Sequence, residues 1–389
     1  MQPVIIIGAG LAGWTTAREF RKLDAGTPVL LITADSGDFY AKPSLSNAFA
    51  QGRTPAQLVS TPAAKMAQTH NVTLLAHTQA LAIDPARCVV TTSGGDFDYR
   101  DLVLATGAQA IRVPIAGNAA DNVLSVNSLQ DFSVFHARLA GTDSSQNHRK
   151  HIVVMGAGLI GCEFANDLVG AGYRVSVVDP AERPLAALLP AQAGEALQGA
   201  LADLGVTWYF GCTVRAVDRN PGEGRPALQV SLSNSAQVHA DIVLSAIGLR
   251  ADTALAQAAG LACSRGIVVD TALQTSNPHI YALGDGAQYA SAGGRTLPFV
   301  MPIMSAARAL AATLAGQHTE LAFPLMPVTI KTPALPIVVA APAPGLEGQW
   351  ASSEPGLWQF TSAENRQHGF VLTGKHTARR GEQSRLVQA

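Results

Sequence analysis

The sequence predicts an α/β fold with two Rossmann-like domains and a small C-terminal α+β domain. The first observation is a repeat, in which VIIIGAGLAG at residues 4–13 returns as IVVMGAGLIG at residues 152–161. The second is a later pair of similar segments in the same order, DLVLATG from Asp101 and DIVLSAIG from Asp241. The two copies of the glycine run begin 148 residues apart, which is the size of a whole domain. A chain of 389 residues has room for two or three such domains.

Composition excludes several functional classes. Charged residues make up only 14% of the chain and apolar residues 48%, which indicates large buried cores. The formal net charge is −1 and no basic or acidic block occurs, so nothing indicates binding to nucleic acid or to a membrane surface. No apolar run reaches the ~18 residues that membrane insertion needs. The four cysteines stand far apart, which is typical of a reduced protein, and we expect a cytoplasmic location.

Each glycine run lies in a strand, turn, helix, strand frame. In the first copy a buried apolar run is followed by the turn, a helical stretch over Leu11–Leu23 and a second apolar run over Val29–Ile32. In the second copy the helical stretch covers Leu159–Gly170 and the next apolar run covers residues 175–178. This frame of about 30 residues is the context in which GxGxxG indicates a dinucleotide site. Two copies in that context are a strong signal, whereas a single GxGxxG is a weak one.

The glycines of such a turn have separate physical roles. The first allows the tight turn, the second lets the backbone approach a pyrophosphate, and the third lets the helix pack on the strand. The helix N-terminus then presents unpaired N–H groups and a partial positive charge to the phosphates. The residues predicted to form the two phosphate sites are Gly8, Gly10, Leu11, Ala12, Gly13, Gly156, Gly158, Ile160 and Gly161.

An acid at the end of the second strand is expected to accept hydrogen bonds from a ribose. In the second copy this acid is Asp179, and no arginine follows directly to meet a 2′-phosphate, which favours NADH over NADPH. Arg183, four residues later, leaves NADPH open. In the first copy Thr33 stands at the equivalent place and Asp35 follows it. Asp35 is either a ribose ligand or a loop residue that caps local amides.

These segments, with TSNPHIYALGD ending at Asp285, resemble the two-dinucleotide-binding flavoproteins, the pyridine nucleotide-disulphide oxidoreductases. The resemblance implies that the first glycine turn binds FAD and the second binds NADH. It also implies that Asp285 hydrogen-bonds the ribityl and pyrophosphate region of FAD. The remaining cofactor-binding candidates in the repeated segments are Thr106, Gly107, Gly248 and Gly284.

The same resemblance implies a domain order. The FAD domain is discontinuous, at residues 1–112 and 249–322, and the NADH domain is inserted at residues 113–248. Residues 323–389 then form the small C-terminal domain, which is shorter than the dimer-forming domain of disulfide reductases and so predicts a monomer. The polar stretch over residues 141–148 predicts a surface loop.

The redox-active cysteines of disulfide reductases have no counterpart here. The corresponding segment, residues 38–46, reads DFYAKPSLS, so a thiol relay is excluded and electrons must leave directly from the flavin. The Lys42-Pro43 element resembles that of the reductases of small iron–sulfur or iron proteins, and Glu163 resembles the family glutamate that faces the flavin and the nicotinamide. The resemblance implies a catalytic pair of Lys42 and Glu163, in which the carboxylate is the partner that a buried ammonium needs. The alternatives are a surface lysine before a turn proline and a first-turn acid that complements the helix dipole.

A further helix, called the late helix below, is predicted to begin near Pro302, since proline favours the first helical position. As in the superfamily, its N-terminus would face the flavin and stabilise negative charge there. The alternative is a helix that only covers the sheet.

A narrower resemblance covers residues 17–24, 32–35, 158–168 and 326–333, together with Lys42 and Pro43. It is to the rubredoxin–NAD(+) reductases of bacterial alkane oxidation. It implies FAD contacts by Ala80, Val300 and Lys331, and electron transfer from NADH through FAD to rubredoxin. Reduction of a [2Fe–2S] ferredoxin or a flavorubredoxin stays open as an alternative, as does a redox-sensing binding protein.

Overall fold

The computed structural model describes residues 1–141, 149–220 and 227–388. Residues 142–148 of the predicted surface loop therefore lie outside the described residues. The chain divides into two compact units. The first comprises Met1–Lys42, Val59–Gln109 and Leu249–Met326. The second comprises Pro43–Leu58, Ala110–Gly248 and Pro327–Ala389.

The first unit is built on a parallel five-stranded sheet. Its strands, in spatial order, are Ile280–Ala282, Asp101–Leu104, Val4–Ile7, Val29–Ile32 and Thr73–Leu75. Every residue of Val4–Ile7 and Val29–Ile32 is buried, as expected of parallel strands covered on both faces. Because all five strands run in the same direction, their carboxyl ends meet at one edge. That edge is where an α/β sheet binds ligands.

Helices and short strands complete the first unit. The helices are Leu11–Leu23, Ala63–His70, Ala254–Ala258 and Val300–Leu314, with short 3₁₀ turns at Gly284–Gly286 and Ala290–Ala292. Leu11–Leu23 packs against Val300–Leu314, where Ala17, Ala306 and Ala307 are fully buried and let the two backbones approach. The remaining strands are Phe39–Tyr40 with Val59–Thr61, Ala80–Asp84 with Val89–Thr92 and Gly95–Asp98, and Ile267–Val269 with Ala287–Tyr289.

The second unit repeats the parallel sheet. Its strands, in spatial order, are Leu124–Ser125, Ile242–Ser245, His151–Met155, Arg174–Asp179 and Val206–Phe210. An antiparallel sheet of Val214–Arg219, Leu228–Leu232 and Gln237–Ala240 adjoins it in sequence. The helices are Pro55–Leu58, Leu129–Ala140, Leu159–Gly170, Ala191–Asp203 and Arg380–Leu386, with 3₁₀ turns at Ala120–Asn122 and Gly374–Arg379. A further 3₁₀ turn, Lys42–Asn47, begins at the last residue of the first unit's N-terminal segment and continues into the second unit. The strands Ala108–Ala110 and Leu249–Ala251 flank the points where the chain leaves and re-enters the first unit.

The C-terminal segment forms an antiparallel sheet within the second unit. Its strands, in spatial order, are Val328–Ile330, Ile337–Ala340, Gln367–Thr373, Leu357–Thr361 and Gln349–Glu354. Alternate residues such as Val339 and Val371 belong to the same core as the helices of the second Rossmann-like sheet, whereas Val338 and Leu372 form a small separate core. This alternation is the reason the C-terminal segment groups with the second unit.

The predicted fold class is confirmed, with differences in detail. The helices Leu11–Leu23 and Leu159–Gly170 have the predicted bounds. Residues 43–58, which the sequence analysis assigned to the FAD domain, group with the second unit, since Phe49 packs against a core of that unit and its N–H donates to Asp167. The three-domain division itself stays a prediction. Across the described ranges, no helix is both long and apolar enough to cross a membrane.

Candidate functional site

The first glycine turn joins strand Val4–Ile7 to helix Leu11–Leu23 in a shape that needs glycine at two positions. Gly8 has φ +109°, and a Cβ there would lie 2.2 Å from the carbonyl oxygen of Ala105. A Cβ on Gly13 would lie 1.9 Å from the carbonyl oxygen of Gly8. These close approaches are backbone contacts, so a side chain cannot be accommodated without moving the turn.

Gly10 has a different environment, and it provides the test of whether a dinucleotide fits. It is the N-cap of helix Leu11–Leu23, and no side chain caps that helix end. A Cβ at Gly10 would meet no atom within 4 Å, so the backbone is accessible at this point. A helix N-terminus without a capping side chain, next to an accessible backbone, fits the pyrophosphate of FAD.

The second glycine turn reproduces this geometry. Gly156 has φ +101° and its Cβ would lie 2.7 Å from the carbonyl oxygen of Ala246. A Cβ on Gly161 would lie 1.9 Å from the carbonyl oxygen of Gly156. Gly158, the N-cap of Leu159–Gly170, again has nothing within 4 Å of its Cβ position. The second turn therefore also fits a pyrophosphate, here that of NADH, and the exposed Ile160 lies beside it in the first turn of the helix.

Asp179 stands at the end of its strand, and its carboxylate is fixed by backbone amides. Oδ2 accepts a hydrogen bond from the Ala157 N–H at 2.6 Å, within the glycine turn. Oδ1 accepts one from the Ala181 N–H at 2.7 Å. The carboxylate thus lies beside the second turn, where an adenosine ribose is expected.

We expect Asp179→Asn to weaken NADH binding about tenfold or more, because one oxygen becomes an NH₂ group that faces an amide donor. The KM for NADH with ferricyanide as acceptor measures this. FAD content is expected to stay at the wild-type level. Asp35→Asn, in the first unit, is the matched control and is expected to leave the KM unchanged. An unchanged KM in Asp179→Asn would remove this residue from the NADH site.

Asp35 and Thr33 form a local capping arrangement at the end of strand Val29–Ile32. Thr33 Oγ1 donates to Asp35 Oδ1 at 2.7 Å, and the Gly37 N–H donates to the same oxygen at 2.9 Å. This is the loop-capping alternative of the sequence analysis, while a ribose contact by Asp35 stays a prediction. The Thr78 N–H donates to the Thr33 carbonyl at 2.8 Å, which brings the backbone just before Ala80 beside this strand end.

Asp285 lies on the 3₁₀ turn that follows strand Ile280–Ala282. Burial raises the pKa of its carboxyl, and the Lys42 ammonium, 3.9 Å from Asp285 Oδ2, acts in the opposite direction. Gly284 is held in place by its N–H, which donates to the Tyr289 hydroxyl at 2.7 Å. Its Cβ would lie only 3.0 Å from that of Ala12. The Asp285 turn therefore lies beside the first glycine turn.

The DLVLATG segment contributes to the same edge of the sheet. Thr106 Oγ1 donates to the Asp252 carbonyl at 2.8 Å. Gly107 has φ +72°, and a Cβ on Gly286 would lie 3.0 Å from its carbonyl oxygen. Thr106 and Gly107 are therefore beside the Asp285 turn, and their contact with FAD stays a prediction. Gly248, with φ +115°, belongs to the second unit.

The late helix begins two residues earlier than the sequence predicted. It runs from Val300, so Pro302 is its third residue rather than its first, and Phe299 precedes it in extended conformation. A proline within the first turn is still compatible with a helix, because its missing N–H would have no intrahelical acceptor there. Val300 is exposed at the helix start. Its contact with FAD and the charge effect of the helix stay predictions.

Glu163 is fully buried in helix Leu159–Gly170, and its carboxylate accepts hydrogen bonds from three donors. Oε2 accepts from Ser46 Oγ at 2.5 Å and from Lys331 Nζ at 2.6 Å. Oε1 accepts from the backbone N–H of Lys331 at 2.9 Å. Lys331 Nζ also donates to the Pro43 carbonyl at 2.6 Å. The result is a buried carboxylate with an ammonium partner that is itself one-third exposed.

The contacts of Glu163 overturn one alternative of the sequence analysis and add a partner that it did not name. Glu163 lies in the second turn of its helix, so the first-turn dipole alternative is wrong. The sequence analysis treated Lys331 only as an FAD contact and did not pair it with Glu163. Lys42 belongs to the first unit, and the Lys42–Glu163 pair stays a prediction.

Two glycine turns of this kind, on two parallel sheets, define a two-dinucleotide oxidoreductase. The family model described as pyridine nucleotide-disulphide oxidoreductase matches residues 2–312, and the chain belongs to this family. The expectation of an FAD- and NAD(H)-dependent oxidoreductase is confirmed by this family. A second model, described as rubredoxin binding C-terminal domain, matches residues 320–385.

Proteins similar over nearly the whole chain narrow the assignment. A rubredoxin-NAD(+) reductase of Alcanivorax borkumensis is 45% identical, with 96% of each chain covered. A nitric oxide reductase FlRd-NAD(+) reductase of Aeromonas salmonicida is 42% identical, covering 95% of this chain and 92% of that one. The crystal structure of a ferredoxin reductase for the CYP199A2 system from Rhodopseudomonas palustris matches with a TM-score of 0.85 at 27% identity, covering 98% and 94%. The narrower resemblance seen in the sequence is thereby confirmed.

Proposed function

We propose that the chain is an NADH-dependent reductase that passes electrons through FAD to rubredoxin. The observation that carries this proposal is the attachment of a rubredoxin-binding C-terminal domain, residues 320–385, to a core with two dinucleotide turns. The similarity to the Alcanivorax rubredoxin-NAD(+) reductase over the whole chain supports the same acceptor. A role in alkane hydroxylation electron transport, a cytoplasmic location and a monomeric state are parts of this proposal.

Different residues of the chain bind and orient the two cofactors in such a reaction. FAD, when bound, accepts two electrons together and releases them singly, which links a nicotinamide to a one-electron acceptor. The two turns at Gly10 and Gly158 bind the pyrophosphates through helix N-termini. Asp179 orients the NADH ribose, and Asp285 orients the FAD ribityl chain. Ser46 and Lys331 hold the Glu163 carboxylate in one position.

A second acceptor has support of its own. Relatives named nitric oxide reductase FlRd-NAD(+) reductase are 42% identical to this chain, close to the value for the rubredoxin-NAD(+) reductase. A flavorubredoxin is therefore the alternative acceptor. The similarity in fold to the ferredoxin reductase of the CYP199A2 system supports the [2Fe–2S] ferredoxin alternative. The sequence identity to that reductase, 27%, is much lower than that to the rubredoxin-NAD(+) reductase.

We expect purified protein with FAD to reduce rubredoxin rapidly at the expense of NADH, with two one-electron acceptors reduced per NADH. Stopped-flow absorbance of rubredoxin bleaching measures the rate. An equal amount of a plant-type [2Fe–2S] ferredoxin is run beside it, and a flavorubredoxin is run as the third acceptor.

The three acceptors separate the hypotheses. Bleaching of rubredoxin at least tenfold faster than the reduction of ferredoxin supports the proposal. Faster reduction of ferredoxin or flavorubredoxin would change the assigned acceptor protein, but it would not change the assignment of the FAD and NADH sites. Slow reaction with all three acceptors, together with an NADH-dependent change in binding or oligomeric state, would favour the redox-sensing alternative.

A further inference from the structure

The 43–58 segment is attached to helix Leu159–Gly170 by a buried carboxylate that the proposed reaction does not use. Asp167, 4% exposed, accepts hydrogen bonds from the Phe49 N–H at 2.8 Å and from the Ala50 N–H at 2.9 Å. Each donor approaches a different oxygen of the carboxylate. A buried carboxylate engaged by two successive amides fixes the backbone there much as a cap fixes a helix end.

The Phe49 side chain supplies a second, independent attachment. Its ring lies in an aromatic cluster of the second unit, with ring centroids 5.1 Å from Phe132 and 5.4 Å from Phe135. It also stacks on His136 at 5.8 Å and meets Tyr173 edge-on at 6.4 Å. Such pairs favour one ring position over its neighbours.

The helix surface beneath this attachment leaves little freedom. A Cβ on Gly170 would lie 3.3 Å from the Ala50 Cβ, which is tighter than ordinary contact. Ala48 is fully buried and Leu45 nearly so. Close packing at Ala50 and burial of Ala48 and Leu45 therefore restrict movement of the segment on either side of Phe49.

The Asp167–Phe49 contact, called the anchor below, lies close in sequence to the contacts of Glu163, both on the helix and on the 43–58 segment. Asp167 lies four residues after Glu163, so the two side chains project from the same face of the helix. Ser46, the donor to Glu163 Oε2, lies three residues before Phe49. Pro43, whose carbonyl accepts from Lys331 Nζ, lies at the start of the same segment.

We propose that Asp167 and Phe49 are positioning residues for the reaction with NADH, acting through Ser46 on the Glu163 carboxylate. This inference rests on the proposed function and on the expectation, from the sequence, that Glu163 is a catalytic residue. Ser46 Oγ and Lys331 Nζ meet the same oxygen of Glu163, and Lys331 Nζ also contacts Ser46 Oγ at 3.2 Å. Displacement of Ser46 changes both hydrogen bonds at once, so the position of the carboxylate depends on the anchor.

A purely structural anchor makes a different prediction. If the anchor were only structural, its substitution would lower the stability of the protein. The rate of flavin reduction would then equal that of any other variant with the same loss of stability. The distinction therefore requires a variant with matched destabilisation elsewhere in the same unit. Val217→Ala is suitable, because Val217 is fully buried in the core beneath the antiparallel sheet and that core contains no residue of 43–58.

The first measurement is hydrogen exchange, which needs no bound cofactor. In Asp167→Asn the NH₂ group opposes one of the two amide donors, so the amides of Phe49 and Ala50 are expected to exchange at least tenfold faster than in wild type. Peptides covering 43–58 are followed by mass spectrometry. In Val217→Ala they are expected to exchange as in wild type. Unchanged exchange in Asp167→Asn would overturn the proposal.

The second measurement is the rate of flavin reduction by NADH in stopped flow, with no acceptor protein present. Asp167→Asn is expected to lower the limiting rate about tenfold, since small misplacements at a reacting centre are costly. The NADH concentration at half-maximal rate is expected to stay at the wild-type value, because Asp179 and the glycine turns are untouched. A rate equal to that of Val217→Ala would mean a structural role only.

A double-mutant cycle tests whether the effect passes through Glu163. In a Glu163→Gln background, Asp167→Asn is expected to lower the rate less than about twofold, because the acceptor through which it acts has already been changed. Additive losses would show that Asp167 acts elsewhere and would overturn the proposal. Should Asp167→Asn fail to fold, Phe49→Leu takes its place in the cycle. It is likewise expected to lower the rate in the wild-type background and to lower it less than about twofold in the Glu163→Gln background.

These outcomes remain separable from those of the proposed function. If wild-type protein is reduced by NADH but does not pass electrons to rubredoxin, the acceptor assignment fails and the cycle still measures the positioning effect. If NADH does not reduce the bound flavin of wild-type protein, the proposed function fails, and the positioning inference fails with it.

Discussion

Gly8→Ala is expected to yield protein with less than about a tenth of the wild-type FAD content, a loss equivalent to about 1.4 kcal/mol or more. The φ of Gly8 is +109°, which a side chain strongly disfavours, and its Cβ would lie 2.2 Å from the Ala105 carbonyl oxygen. The turn can relieve this overlap only by moving the backbone that approaches the pyrophosphate. Flavin absorbance per protein after purification measures the effect.

Two other glycines make this result specific. Gly95 has a similar φ of +119° but nothing within 4 Å of its Cβ position, so Gly95→Ala adds backbone strain without the overlap. It is expected to keep its FAD. Gly156→Ala carries the equivalent defect in the second turn and is expected to keep FAD while losing affinity for NADH. Loss of FAD in all three variants alike would contradict the assignment of one cofactor to each turn.

The two turns were predictable because all of their information is local. Three glycines, a β-branched strand before them and a helix after them occur within one short stretch of sequence, and the required backbone geometry follows from hard-sphere contacts. Asp179 was predictable for the same reason, since it ends the next strand. The start of the late helix was missed by two residues, because proline is tolerated anywhere in the first turn and Phe299, not Pro302, marks the change of backbone conformation.

The Glu163–Lys331 pair was not predictable from local pattern, because the two residues lie 168 positions apart. One signal in the sequence pointed toward it. Glu163, Asn166 and Asp167 are polar residues on a single face of an otherwise apolar helix, and all three are buried. Buried polar groups need partners, so this face indicates contacts with other segments. It does not say which ones, and the 43–58 segment and residues 331–334 supply them in the structure.

Lys331→Met is expected to destabilise the protein by about 1–3 kcal/mol, since it leaves the buried Glu163 carboxylate without its cation. The Lys331 side chain is 34% exposed, so water reaches the pair from one side and the loss falls short of that for a fully buried pair. The Ser46 hydroxyl and the backbone N–H of Lys331 stay in place as donors. The free energy of unfolding in urea, followed by tryptophan fluorescence, measures the change.

Removal of both charges separates the electrostatic part of this effect from the loss of a long side chain. In Lys331→Met with Glu163→Gln neither member of this ion pair is left as a buried charge, so the double variant is expected to recover most of the lost stability. Arg379→Met is the surface control: its side chain is 36% exposed, much like that of Lys331, but its partners Glu354 and Glu382 are 45% and 48% exposed where Glu163 is fully buried. Because water solvates both carboxylates after the arginine is removed, little loss is expected there. Equal losses in Lys331→Met and Arg379→Met would show that burial of the carboxylate is not what makes Lys331 necessary.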